Sequence, residues 1–388
     1  MRSVSLLDAA PLAADRVKPF EGHRPYLATG GVGDEADYTP TEVTYADRPT
    51  RADLCVQPGD VSFAKMQGTK KILEFNAEHA DLILSTGFAV LRPHSARLHP
   101  GYLRHWLSTD AFQFAKDRLC SGATQKAITN EKLELLTIPL PERVDEQRRI
   151  AGILDKADTL RAKRRAALAQ LDTLTQSIFL EMFGDPATNP KGWPQVPIGD
   201  HASKIGSGAT PRGGEESYKA AGITLIRSMN VRDGAFLRDG LAFIDDEQAA
   251  QLEGVVVEAD DVLLNITGAS VARVCRAPAD VLPARVNQHV AIIRPTATFN
   301  PHFLEQCLLS PSVKERLLRI ARAGATREAI TKSAIEQFKV IRPPREVQDQ
   351  FGAQVDASKK THLQMSSALA EMDALFASLQ HRAFRGEL

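Results

Sequence analysis

Cysteine is scarce in this chain, and net charge is absent. The 388 residues include four cysteines, Cys55, Cys120, Cys275 and Cys307, which lie far apart, form no CxxC pair and have no histidine at a zinc-site spacing. They are expected to be reduced, mostly buried thiols, and no metal site is expected. The 48 Lys and Arg residues balance 48 Asp and Glu. That balance argues against a chain that grips nucleic acid strongly by itself, because phosphate neutralisation dominates such affinity. It leaves room for local basic patches or for a partner that supplies charge. No apolar run approaches the roughly 18 residues of a membrane span, and the opening "MRSVSLLDAAPLAADR" lacks the basic start and long apolar core of a signal peptide. A cytoplasmic location without membrane contact is the expectation.

Catalytic signatures are also missing. "GSGATPRGG" from Gly206 is glycine-rich but lacks the GK[ST] ending of a phosphate loop. No strand–GxGxxG–helix unit for a dinucleotide or S-adenosylmethionine appears, and Asn189-Pro190 is followed by Lys191-Gly192 rather than by the Pro-aromatic pair of amino-methyltransferases. There is no HExxH. No catalytic residue is assigned, and no cofactor is expected on this chain. At 43% hydrophobic and 25% charged residues the composition is that of an ordinary globular protein with two or three domains.

What the chain does have is a repeat. "GATQKAIT" from Gly122 returns as "GATREAIT" from Gly324, 202 residues later. Arg294-Pro295 follows Arg92-Pro93 at the same offset, and Gln348 follows Gln147 at 201. A period this long means two copies of a domain with its connector, not a solenoid. It implies an internal pseudo-two-fold, suited to a pair of ligands or to a ligand with its own pseudo-dyad, such as duplex DNA.

Each copy ends in a long helical segment poor in glycine and proline. Ile150, Leu154, Ala157, Arg161, Arg164, Leu168, Leu171, Thr175, Ile178 and Met182 alternate in spacings of four and three, a heptad seam. Phe351, Val355, Ser358, His362, Met365, Leu369, Met372, Phe376, Leu379 and Ala383 repeat it 201 residues on. Two matched helices of about 40 residues, each some 60 Å long, predict an antiparallel coiled coil. The polar positions in mid-seam either set its register or snorkel out of it. "FGDPATNPKGWP" from Phe183 stops the first helix.

The rest reads as mixed strand and helix. "GDVSFAKM" from Gly59, "STGFAVLRP" from Ser85, "ADDVLLNIT" from Ala259 and "NQHVAIIRP" from Asn287 have strand composition. The stretches from Pro100 and Pro301 have helical spacing with proline at the start. Upstream, residues 1–57 and 192–257 agree far less well between the copies. The reading is α+β: mixed domains at 1–141 and 184–343, with long spacer helices at 142–183 and 344–388.

The repeated GAT..AIT element, the helix "EQRRIAGILDKADTLRAKRRAALAQLDTLTQSIFLEMFGDP" from Glu146 and the terminal "LQHRAFRGEL" together resemble the specificity subunit of a type I restriction-modification system. The resemblance covers essentially the whole chain and includes "GWPQVPIGDHASKIGSGATP" at the start of the second domain. Residues 1–57 depart from the pattern in lacking a comparable glycine-serine opening. The resemblance implies a non-catalytic reader of a bipartite DNA sequence with two target-recognition domains. It implies partners too: double-stranded DNA, two methyltransferase subunits that act on adenine, and a translocating restriction subunit. S-adenosylmethionine, ATP and Mg would belong to those partners.

Base readout needs Arg or Lys for guanine and Asn or Gln for adenine, on loops. The candidates are Lys65, Gln67, Lys70 and Lys71 in the first domain, and Arg212, Arg227, Asn230, Arg232 and Asn265 in the second. Thr124 and Thr326, in the repeated turns, are candidates for phosphate contact. Equally, those turns serve only to lead into helices capped by Thr129 and Thr331. The seam residues Ile150, Leu154, Leu168, Leu171, Ile178, Phe351, Val355, Leu369, Met372 and Leu379 are assigned to the spacer helices and their partners. Three other functions remain open. A specificity chain of another multisubunit DNA-methylation or phage-defence system would differ in its neighbouring coding regions. A nuclease or methyltransferase acting alone would be discriminated by a methyl-transfer assay on the isolated chain with S-adenosylmethionine, where no turnover is expected, and an assembly scaffold would give no sequence-selective shift.

Overall fold

The computed structural model describes residues 1–33, 37–122, 125–323 and 328–388. It is a mixed helix and sheet structure that divides into two compact units. Met1–Ala166 with Ser367–Leu388 form the first, and Ala167–Ser366 the second. The division passes through both long helices, Val144–Phe183 and Arg345–Arg385.

The two units share a plan. In the first, Arg24–Leu27 pairs in parallel with Ile83–Ser85, and antiparallel neighbours Thr41–Val43 and Ala52–Cys55 complete a four-stranded sheet. In the second, Ile223–Ile226 pairs in parallel with Ala284–Val286, flanked by Ala242–Ile244 and Val256–Val257 in the same order. The sequences upstream of the shared strands diverge, yet their sheet order does not. The order of this sheet is thus shared, while the second unit adds the upstream strand Ala202–Ser207 and the hairpin Val231–Arg232 with Ala235–Phe236.

A second sheet carries the strands expected from the β-branched and aromatic composition, and its core strands are buried at every position. Val61–Ala64 lies between Ile72–Glu74 and Phe88–Leu91 in the first unit. Its counterpart Val262–Asn265 lies between Val274–Arg276 and Val290–Pro295, where Ala202–Ser207 adds a fourth strand. The helical stretches from Pro100 and Pro301 are each two short helices. Pro100–Leu107 gives way to Asp110–Leu119 because Thr109 caps a new start by accepting from the Phe112 N–H at 3.2 Å. Pro301–Leu309 gives way to Pro311–Arg322 because Pro311 has no N–H to continue the first helix.

Polar staples recur at matched positions. Asp60, 1% exposed, takes both oxygens to Arg92 at 2.8 Å, and Asp261, also 1% exposed, takes Arg294 at 2.7 and 2.8 Å. Gln147, near the start of the first long helix, accepts from the His99 N–H at 2.9 Å and donates to the Arg97 and Pro141 carbonyls. Gln348 does the same for Asn300, Thr298 and Pro343. These buried amides tie the start of each long helix to the helix that opens at Pro100 or Pro301.

All twenty seam positions are buried or half-buried. Ile150, Leu154, Ala383 and Phe384 enter the core of the first unit. There Phe384 packs on Tyr102 and Trp106, both with ring centroids at 5.1 Å. In the same unit Arg161, a polar seam residue, pairs with Asp158 and with Asp373 of the other long helix at 2.6 Å, and lies 4.2 Å over the Phe376 ring. Arg149 reaches the Leu388 carbonyl at 2.7 Å, so within this unit the two helical segments run in opposite directions. In the second unit Phe179, Phe183, Phe303 and Phe351 form one aromatic knot with centroids 4.8 to 5.7 Å apart. Such contacts contribute about 0.5–1.5 kcal/mol per pair beyond area burial. All four cysteines are free, with Cys275 and Cys307 buried and their thiols pushed up to about 12 by burial.

Replacing Gln147 or Gln348 by Leu leaves a buried N–H and two carbonyls without partners. Each change should cost several kcal/mol, at roughly 1–3 kcal/mol per orphaned group. Urea unfolding should show both midpoints lowered; an unchanged midpoint would contradict the staple. A second expectation concerns acid. Burial, with Arg276 adding to it, lowers the His302 imidazole from 6.5 to about 4, against the opposing pull of Asp356 and Asp260. The unfolded chain therefore takes this proton first, so stability present above pH 6.5 falls as pH drops towards 4. Thermal melts of His302→Gln should show a shallower acid slope than wild type, and an identical slope would sink the assignment.

Candidate nucleic-acid interface

The strand Val61–Ala64 runs into a loop that turns back to Ile72–Glu74, and the repeated AIT segment lies against that loop. Ile128 donates its N–H to the Lys65 carbonyl at 3.0 Å, and Gln67 donates to the Lys126 carbonyl at 2.9 Å, with Met66 bridged to Ala127. The second unit repeats the arrangement. Ile330 donates to the Ile266 carbonyl at 2.8 Å, Gly268 to that of Glu328 at 3.3 Å, and Thr267 bridges Ala329. The duplicated motif thus pins two equivalent loops, 65–69 and 266–270, by main-chain contacts that do not depend on the loop side chains.

Around the second loop an open cleft is lined by Ser228, Met229, Arg232, Ser270, Arg273 and His289, among others. His289 is fixed by Thr267 at 2.6 Å and by Gln288 at 3.1 Å, and Gln288 in turn accepts from the Thr210 hydroxyl. The Arg232 and Arg273 guanidinium groups have no side-chain partner among the described residues, which leaves two cations available to an anionic or acceptor-rich ligand.

The structure sorts the sequence candidates. Gln67 and Arg212 are exposed on turns, and Arg232 is exposed at the end of the short strand Val231–Arg232. Lys70 is exposed and 3.5 Å from Asp110. Lys65 is half-buried, 3.5 Å from Asn130, and burial, with Arg16 adding to it, lowers its pKa. Lys71 is occupied by the Thr29 carbonyl at 2.9 Å. Arg227 is engaged by Glu215 at 2.8 Å and the Gly240 carbonyl at 2.7 Å, so it holds a turn together.

Two candidates are corrected outright. Asn230 and Asn265 are 0% exposed. The Asn230 amide accepts from Arg227 and donates to Leu237 and Asp239, closing the 227–240 turn. The Asn265 amide donates to the Ser228 carbonyl at 2.9 Å and Ser270 Oγ at 3.1 Å, joining two walls of the cleft. Both are supports rather than readers. Thr124 and Thr326 lie outside the described residues. Thr331 caps the helix Lys332–Gln337, accepting from Ala334 at 3.1 Å, whereas Thr129 bonds the Glu131 carboxylate and lowers its pKa.

Sequence reasoning missed Arg273, His289 and the pair Lys116 and Asp117. Lys116 is 0% exposed, with its ammonium on the carbonyls of Met66 at 3.1 Å and Thr69 at 2.8 Å. The signal was available: Phe112 and Lys116 occupy the helical positions of Val313 and Leu317, so a lysine stands on an apolar stripe. Asn265→Ala should cost roughly 1–3 kcal/mol of stability, whereas Arg232→Ala should stay within about 0.5 kcal/mol. Chemical denaturation of both variants checks this, and equal losses would contradict the division between support and surface.

Residues 18–170 match the family model for the type I restriction modification DNA specificity domain. The chain is 23% identical over 362 residues to the type I restriction enzyme EcoKI specificity subunit of Escherichia coli (strain K12), covering 86% of this chain and 75% of that one. It is 24% identical over 368 residues to the StySPI specificity subunit of Salmonella potsdam, with the same coverage of 86% and 75%. A chain solved in work on complex assembly and conformational transition of the type I R-M system shares the fold at a TM-score of 0.65 and 22% identity, over 100% of this chain and 98% of that one. The type I restriction-modification S subunit from M. genitalium shares it at 0.59 and 13% identity, over 99% and 96%. The family model over residues 18–170 and the relatives aligned across 86% of the chain agree: the chain is similar to the specificity subunits of type I restriction-modification systems.

Proposed function

We propose that this chain is a specificity subunit that reads a bipartite DNA target, with one half-site taken by each unit. The observation that carries the reading is the pair of loops 65–69 and 266–270, held by the same main-chain contacts but differing in side chains. One scaffold presenting two different loops suits two half-sites of unlike sequence. Residues 1–141 and 184–343 act as the target-recognition domains. The helices 142–183 and 344–388 pair as an antiparallel coiled coil that spaces them, an arrangement supported within the first unit by Arg161 with Asp373.

In this reading the chain is the recognition component, and chemistry belongs to its partners in the cytoplasm. Two methyltransferase subunits using S-adenosylmethionine modify adenine, and a restriction subunit using ATP and Mg joins them. No helix among the described residues is long and apolar enough to cross a membrane. Because 48 positive and 48 negative charges cancel, binding by the lone chain should be weak and steeply salt-dependent, and the methyltransferase subunits should tighten it.

Exchange of residues 192–343 for the corresponding segment of a relative tests the proposal. Competition titrations of the methyltransferase complex should show one half of the recognised sequence replaced and the other retained. Loss of selectivity for both halves together would contradict reading by separate units.

A further inference from the structure

We infer that Lys116 is a positioning residue for sequence discrimination by the first unit: its buried ammonium fixes the loop that carries Gln67, and thereby the base pair that Gln67 meets. The inference rests on the reading of the chain as a bipartite DNA reader.

The loop between Val61–Ala64 and Ile72–Glu74 is held from three sides. Lys116 donates to the Met66 and Thr69 carbonyls at 3.1 and 2.8 Å, and its third donor direction is met by Asp117 at 3.3 Å. Asp117 accepts the Gly68 N–H on both carboxylate oxygens at 3.1 Å. Gly68 has φ +69°, a left-handed conformation that glycine adopts without strain, so the turn folds back over Lys116. On the far side Gln67 donates its N–H to Lys126. The main chain of Gln67 is thus fixed, while its side chain is exposed and has no hydrogen-bond partner among the described residues.

A structural role alone does not call for a lysine here. An ammonium taken out of water is costly unless each donor is met, and the corresponding place in the second unit is filled by Leu317, 2% exposed. The same helix position therefore packs as well with an apolar side chain. What the lysine adds is two hydrogen bonds to the loop, and the loop's only exposed long amide is Gln67. A glutamine held in a fixed frame satisfies adenine N6 and N7 together, and discrimination of that kind depends on the frame being rigid.

The test uses the full chain in complex with its methyltransferase partners. The target is taken from the methylated positions of the host genome, and a duplex panel changes each base pair singly. Gln67→Ala should lower discrimination about 10-fold at one adenine-bearing pair of one half-site. Lys116→Met should relax the same pair, leave the other half-site unchanged, and add nothing further when combined with Gln67→Ala. Asp117→Asn, at a partly exposed side chain, should act in the same direction and provides a variant free of the buried-lysine deletion. Uniform loss of affinity for every duplex in Lys116→Met and Asp117→Asn would overturn the inference. So would unchanged discrimination in either Gln67→Ala or both clamp variants. A wild-type complex that binds target and scrambled duplexes alike would overturn the bipartite reading itself, and the wild-type control alone distinguishes that outcome.

Discussion

The contact on which the proposed recognition surface depends is made by main-chain atoms. In each unit an isoleucine of the repeated AIT segment, Ile128 or Ile330, bonds back to the carbonyl at the end of a core strand, Lys65 or Ile266. Because neither donor nor acceptor is a side chain, the loop can change sequence without losing its anchor. The core beneath can stay constant while the tip varies. That separation is the physical basis of the proposal that one duplicated scaffold carries two specificities.

The anchor is shared, but what tightens it is not. Lys116 and Asp117 clamp the first loop from a helix. In the second unit Asn265, on the strand itself, ties Ser228 to Ser270, and Leu317 fills the lysine's place. The first loop offers an amide, the second a cleft with two guanidinium groups. Amide and guanidinium groups favour different base edges, so the two units are chemically equipped for unlike half-sites. The staples at Gln147 and Gln348 then link each scaffold to the long helices by the same three hydrogen bonds.

Much of this was legible in the sequence, for identifiable reasons. The 201-residue offset of Gln147 and Gln348 marks equivalent buried amides, and the four-three spacing selects positions that are at least half-buried in both long helices. Strands rich in β-branched and aromatic residues fell where composition placed them. The common sheet order upstream was hidden because topology tolerates sequence change that pairwise comparison does not. Asn230 and Asn265 were misread because a short amide that bonds internal partners, in a turn at Asn230 and at a strand end at Asn265, looks in sequence like one offered to a ligand. The engagement of Arg227 by Glu215 was not legible because the two are brought together only by tertiary folding. Lys116 escaped notice as an ordinary helical charge until its alignment with Leu317 exposed its place on the buried stripe.

The central claim is that the two equivalent loops meet base edges in two different half-sites of one duplex. Site-specific photocrosslinking measures this directly: a photoreactive residue is placed at Gln67 in one preparation and at Ala269 in another, each in the methyltransferase complex on its target DNA. The account predicts a single crosslinked position for each probe, lying in opposite half-sites across the spacer. Crosslinks from both probes in the same half-site, or spread along the duplex regardless of sequence, would contradict it.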